Sequence, residues 1–213
     1  QPCRPRERAS DGEAMNSRRH LRDVMLDEAA AISAAAKRLD DKSARRAIDL
    51  LVGCGGKAVI TGVGKSGLVA QKISASFTSV GLLSVYLNPL DALHGDIGVV
   101  RDGDVVVLVS NSGETTELAA IVPYLKKRGA RLLGILGRAD SSLGEHCDAV
   151  LDASVEKEAA PIGQVPTSST AVAMAIGDAL AVAWMTRRAC RRDFAMNHPA
   201  GSIGRRLTLT VAT

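Results

Sequence analysis

Apolar residues recur at three-and-four spacing through Leu21, Val24, Met25, Leu26, Ala29, Ile32 and Ala36. That period predicts helix over 15–52. Asp40 and Asp41 interrupt it, and a second helix over 42–52 is stopped by Gly53-Cys54-Gly55-Gly56. The pattern then changes. Residues 57–61 suit a short buried strand, Gly62-Val63-Gly64-Lys65-Ser66-Gly67 follows at once, and a helix is predicted to about Val80, closed by Gly81. Residues 83–87 read as a strand. Residues 104–110 are continuous and β-branched, which suits a parallel strand covered on both faces. After the turn Asn111-Ser112-Gly113-Glu114-Thr115-Thr116 come a helix over 117–128, a strand over 131–136, a short helix over 141–146 and a last strand over 149–151. Residues 167–190 form a long Ala-rich helix with Thr167 or Ser168 as N-cap.

Strands alternating with helices of this length predict an α/β fold, a doubly wound parallel sheet with a helical N-terminal segment. Right-handed crossovers gather the turns after the strands on one rim, where open α/β sheets bind ligands. A length of 213 residues fits one domain with appendages, at roughly 150 residues per domain. Residues 15–208 are taken as that domain, 1–14 as a disordered or added extension with Met15 as a natural start, and 209–213 as a tail.

Composition narrows the partners. Aromatic residues are 2% of the chain, too few for a surface that stacks single-stranded nucleic acid. No run of about 18 apolar residues is found, so no membrane-spanning helix is expected. The net charge of +4 belongs to the Arg-rich ends, since residues 23–186 hold 15 basic and 19 acidic side chains. Solvated ends explain this, and neither nucleic acid nor membrane is expected as a partner. Cys3, Cys54, Cys147 and Cys190 form no C-x-x-C pair, which predicts free thiols and a reducing, cytoplasmic setting.

Two turns carry candidate chemistry. Gly62–Gly67 and Ser110–Thr115 both follow strands, open helices and are rich in Gly, Ser and Thr. Free N–H groups and hydroxyls at such helix starts hold phosphate. The first turn is a poor dinucleotide fingerprint, because Leu87-Asn88 stands where an acid is needed, and it lacks P-loop spacing. A terminal phosphate ester is the expected ligand.

Ser110-Asn111-Ser112-Gly113-Glu114-Thr115 resembles the S-x-S-G-x-T turn of sugar isomerase (SIS) domains. His94-Gly95-Asp96-Ile97-Gly98, Lys157-Glu158-Ala159-Ala160-Pro161, Pro166-Thr167-Ser168-Ser169-Thr170 and Asn197-His198-Pro199-Ala200-Gly201 resemble, in that order, the arabinose-5-phosphate isomerases. The resemblance spans roughly 20–208. It implies a flavodoxin-like SIS fold and interconversion of D-arabinose 5-phosphate and D-ribulose 5-phosphate through an enediol(ate), which supplies the eight-carbon acid sugar of lipopolysaccharide and capsules. It implies catalytic roles for Lys65, Glu117, Glu158 and His198. It also implies phosphate contacts from Ser66, Ser110, Ser112 and Thr115, and further substrate contacts from Gly81, His94, Thr167 and Ser168. Histidine and glutamate suit the proton transfer this needs near neutral pH, and no redox cofactor is required. His198 is the expected base, with Glu158 the rival and Lys65 the enediolate partner.

Family members often carry a histidine where this chain has Asn88, and it contributes to a metal contact in some; no metal is expected here. Many continue into paired CBS domains, so the chain reads as a stand-alone enzyme or an excised catalytic domain. A homo-oligomer, dimer or tetramer, with shared sites is implied, with the segment 15–52 against a partner and His94 or His198 serving a neighbour. The alternatives are another phosphosugar isomerase, of sedoheptulose-7-phosphate or hexulose-phosphate type, and a non-catalytic phosphosugar sensor. A sensor needs the phosphate turns but not Lys65, Glu117, Glu158 and His198 together.

Overall fold

The computed structural model describes residues 11–160, 165–189, 194 and 196–198. Five parallel strands form one sheet in the order β2-β1-β3-β4-β5. They are β1 (Ala58–Gly62), β2 (Ser84–Leu87), β3 (Val105–Ser110), β4 (Arg131–Leu136) and β5 (Ala149–Asp152). The order reverses direction between β1 and β3, which is the switch point where ligands bind in open α/β sheets. β1 and β3 are buried along their whole length, as their continuous apolar runs require.

Alternate strand side chains feed two cores. Ala58, Ile60, Val105, Val107, Val109, Leu133 and Ile135 face one. That side is covered by α2 (Asp41–Val52), α3 (Gly64–Ser79) and α7 (Ser168–Arg188). Val59, Val106, Leu108 and Leu132 face the other, beneath α4 (Pro89–Ala92), α5 (Thr116–Lys127) and α6 (Ser142–His146). A 3₁₀ turn, Asp96–Val99, follows α4. Asp40, expected only as a break, is the N-cap of α2 and accepts the Ser43 N–H at 2.7 Å. The first helix, α1 (Asp11–Arg38), begins inside the segment set aside as an extension.

α7 corrects the membrane expectation. Its 21 residues are long and apolar enough, by length and composition, to cross a membrane. The shorter count failed because Ser, Thr, Gly and Asp178 interrupt the run without making it polar. Its packing accounts for part of that composition, with 39% of that apolar stretch buried. Val172, Ala173, Leu180, Ala181 and Trp184 are buried, and Trp184 Nε1 donates to Leu51 O at 3.2 Å. A methyl group on Gly177 would overlap Ile73, so glycine permits the close α3–α7 approach. Asp178 pairs with Lys72 of α3. Cys54 and Cys147 are free thiols, while Cys3 and Cys190 lie outside the described residues. Burial, and then Asp148, push the Cys147 thiol up to about 12.

Candidate active site

A cavity of about 200 Å³ opens at the carboxyl ends of β1 and β3. Lys65, Ser66, Ser110, Asn111, Ser169 and Thr170 bring polar groups to it, and Val69, Val109, Ile135 and Ala173 form an apolar floor. Three chain segments far apart in sequence thus meet at the switch point. Gly62 makes the first segment possible: a Cβ there would stand 2.8 Å from Ser66 O. The turn can therefore fold tightly from β1 into α3 and present Lys65 and Ser66. Tyr86 holds the same turn from β2, its hydroxyl donating to Gly62 O at 3.1 Å. Lys65 is exposed and makes no ion pair among the described residues.

The second turn is ordered by its own hydroxyls. Ser110 Oγ accepts the Gly113 N–H at 3.0 Å and lies 2.8 Å from Thr115 Oγ1. Ser112 Oγ accepts the Glu114 N–H at 3.1 Å. The Ser142 hydroxyl and N–H both donate to Glu114, tying the turn to α6 and holding that carboxyl below its ordinary value. Thr115 precedes α5 without a side-chain cap, and Glu117 is half-buried in the first turn of that helix. Ser112, Thr115 and Glu117 do not line the cavity.

The third segment differs from expectation. Thr167 is the N-cap of α7, as expected, but its own side chain does not cap the helix. Glu158 does so from a preceding loop, accepting the Thr167 N–H at 2.9 Å, the Ser169 N–H at 3.1 Å and both hydroxyls. Burial alone would raise the Glu158 pKa, but these donors outweigh it and hold the carboxyl below the usual glutamate value. Ser168 is buried, and the cavity is met instead by Ser169 and Thr170.

His198 and Gly81 stand elsewhere. His198 Nε2 lies 3.2 Å from Ser79 Oγ, at the carboxyl end of α3, and Gly81 follows that helix. Lys65 begins the same helix, so at 1.5 Å per residue the two sites are about 21 Å apart. His198 Nδ1 is 2.7 Å from Phe194 O, and the ring packs on Phe194 at 4.3 Å between centroids. A carbonyl only accepts, so Nδ1 carries the proton of the neutral ring and Nε2 keeps the basic lone pair. Pro199, Ala200 and Gly201 of that motif, and Pro161 of the Glu158 motif, lie outside the described residues. His94 is exposed beyond α4, at the β2 edge. Asn88 Oδ1 caps α4 by accepting the Leu90 N–H at 3.0 Å. One chain therefore assembles Lys65, Ser66 and Ser110, and leaves His94, His198 and Gly81 outside their cavity.

The switch-point cavity, with a free lysine and hydroxyl-bearing helix starts, defines an α/β domain suited to a phosphorylated ligand. The chain belongs to the SIS domain family, whose profile matches residues 51–183. It is 41% identical over 193 residues to arabinose 5-phosphate isomerase KpsF of Escherichia coli O6:H1, covering 90% of this chain and 59% of that relative. It is 45% identical over 167 residues to arabinose 5-phosphate isomerase KdsD of Salmonella typhi, covering 78% of this chain and 51% of the relative. The chain thus spans between half and three fifths of the length of these two curated relatives. A solved structure from E. coli CFT073, c3406 in complex with A5P, matches with a TM-score of 0.82 at 36% identity, covering 90% of this chain and 100% of that one.

Proposed function

We propose that the chain is an aldose–ketose isomerase that interconverts D-arabinose 5-phosphate and D-ribulose 5-phosphate. The observation that carries this reading is the meeting of Lys65, Ser66 and Ser110 in one switch-point cavity, in a chain 36% identical to a structure solved with A5P. The phosphate sits on the 110–115 turn, where α5 begins. A base takes the C2 proton and returns it to C1, while one proton passes from O2 to O1. The atoms balance within the sugar. The Lys65 ammonium faces the oxygen that gains charge in the enediolate, where a preorganised cation acts most strongly.

The base in this proposal is His198 of a neighbouring subunit. Nδ1–H donates to Phe194 O, so Nε2 carries the ring's lone pair; within its own chain that nitrogen accepts the Ser79 hydroxyl, which it must leave to meet the sugar, and its own Lys65 is about 21 Å away. Exposed Leu21, Met25 and Leu26 on α1 support an oligomer, as does an apolar groove between α1 and α7 lined by Ile32, Leu39, Val172 and Ile176. In an oligomer, dimer or tetramer, the sites are shared and His94 also reaches a neighbour. The eight-carbon acid sugar of lipopolysaccharide or capsule is the proposed destination of the product.

A coupled assay of the purified protein against arabinose, ribose, ribulose, sedoheptulose and glucosamine phosphates tests the reading. Turnover confined to arabinose and ribulose 5-phosphates is expected. Preference for a heptose or hexose phosphate moves the chain to another isomerase, and tight binding without turnover makes it a sensor.

A further inference from the structure

Glu158 has the most heavily hydrogen-bonded carboxylate around the cavity. One oxygen accepts the Thr167 N–H, the Ser169 N–H and the Thr167 hydroxyl, and the other accepts the Ser169 hydroxyl. The Thr167 hydroxyl also accepts the Ala159 N–H at 2.9 Å, closing a ring between residues 158–159 and 167–169. Ser169 is 5% exposed and lines the cavity beside Thr170. The ring therefore ends on the cavity wall.

Two consequences follow from this geometry. A base must offer a lone pair to the proton it takes, and donors to the ionised carboxylate make it less basic. Glu158 gives one oxygen wholly, and one lone pair of the other, to the start of α7. The same N–H groups would otherwise attract an anion, and the Glu158 charge occupies their place. A phosphate is thereby turned away from α7 and left to the 110–115 turn across the cavity, with the sugar carbons directed to the α7 wall.

We propose that Glu158 is a positioning residue that anchors the start of α7, so that Ser169 and Thr170 face the sugar, and that keeps phosphate off this helix end without taking the C2 proton. The proposal rests on the isomerase reading above, and wild-type turnover of arabinose 5-phosphate tests that reading by itself.

The Glu158 test then uses the full chain. In Glu158→Gln the charge is lost, and the Ser169 hydroxyl must turn round to accept from the amide nitrogen, which weakens the ring. The expected result is a KM for arabinose 5-phosphate raised about tenfold, with kcat and C2-proton exchange at saturating sugar held within about threefold. A fall of about 10² or more in kcat and in exchange, with KM unchanged, is the signature of a lost base and overturns the proposal. Ser169→Ala is expected to raise KM by itself and to add nothing to Glu158→Gln, because both open one ring. Additive effects overturn the ring. Should Glu158→Gln not fold, Glu158→Asp keeps the charge at a shorter reach and carries the same test: raised KM with kept exchange supports the proposal, and lost exchange refutes it.

Discussion

Lys65 stands where electrostatics disfavours it. It occupies the first turn of α3, at the positive end of the helix dipole, and has no ion-pair partner among the described residues. Replacing it by methionine removes no salt bridge and no hydrogen bond among the described residues. Stability should therefore hold or rise, by about 0.3–1 kcal/mol, the usual dipole effect at an exposed site. Activity should move the other way. If the ammonium meets the enediolate oxygen, its loss removes about 3 kcal/mol of transition-state stabilisation, or about 10² in rate. Urea unfolding read by circular dichroism gives the first quantity, and initial rates with arabinose 5-phosphate give the second. Because the contact strengthens only as charge develops, kcat and kcat/KM should fall together. A Lys65→Met enzyme within threefold of wild type, or one that loses stability and activity in parallel, refutes this role.

Four further outcomes follow from the same geometry. Ser110→Ala strands the Gly113 N–H that its Oγ accepts at 3.0 Å; unfolding stability should drop by about 1–3 kcal/mol and phosphosugar affinity by calorimetry should weaken with it. Asp104 is buried, which alone would raise its pKa, but hydrogen bonds from Lys57 and Arg101 bring it below the ordinary value. Its stabilisation is therefore complete above the unfolded aspartate value, about 4, and lost as pH falls through the lower folded value; Asp104→Asn should cost about 3 kcal/mol at pH 7 and much less at pH 2 by urea titration. Chelator dialysis should leave activity intact, since Asn88 stands where the resemblance implies a histidine that contributes to a metal contact in some members, and its Oδ1 is committed to capping α4. Lys65→Met and His198→Asn, each slowed about a hundredfold or more alone, should recover roughly a quarter of wild-type activity when unfolded and refolded together, because mixed subunits recreate some intact sites; no recovery contradicts a site shared through His198.

The strands were legible because each is a short apolar run closed by turn residues. β4, Arg131–Leu136, has the bounds its run predicts. The rim was legible too, since parallel strands with right-handed crossovers leave little freedom in where the turns gather. α4 was missed although Asn88-Pro89 is a start signal, because four residues carry no period. Thr167 was legible as the N-cap of α7, but the group that bonds the free N–H donors there was not. Local rules look for a cap within the helix's own first residues, and Glu158 comes from a loop nine residues before Thr167. The place of His198 was beyond pattern reasoning, for nothing in Asn197-His198-Pro199 says at which end of α3 that segment returns.

The proposed reaction moves a proton between C1 and C2 of a phosphopentose in this cavity. Proton NMR of arabinose 5-phosphate with the purified chain in heavy water reads that event directly. The expected spectra show ribulose 5-phosphate signals growing to a fixed ratio while the arabinose 5-phosphate C2 proton is replaced by deuterium. A spectrum in which the sugar binds but neither isomerises nor loses its C2 proton contradicts the proposed reaction.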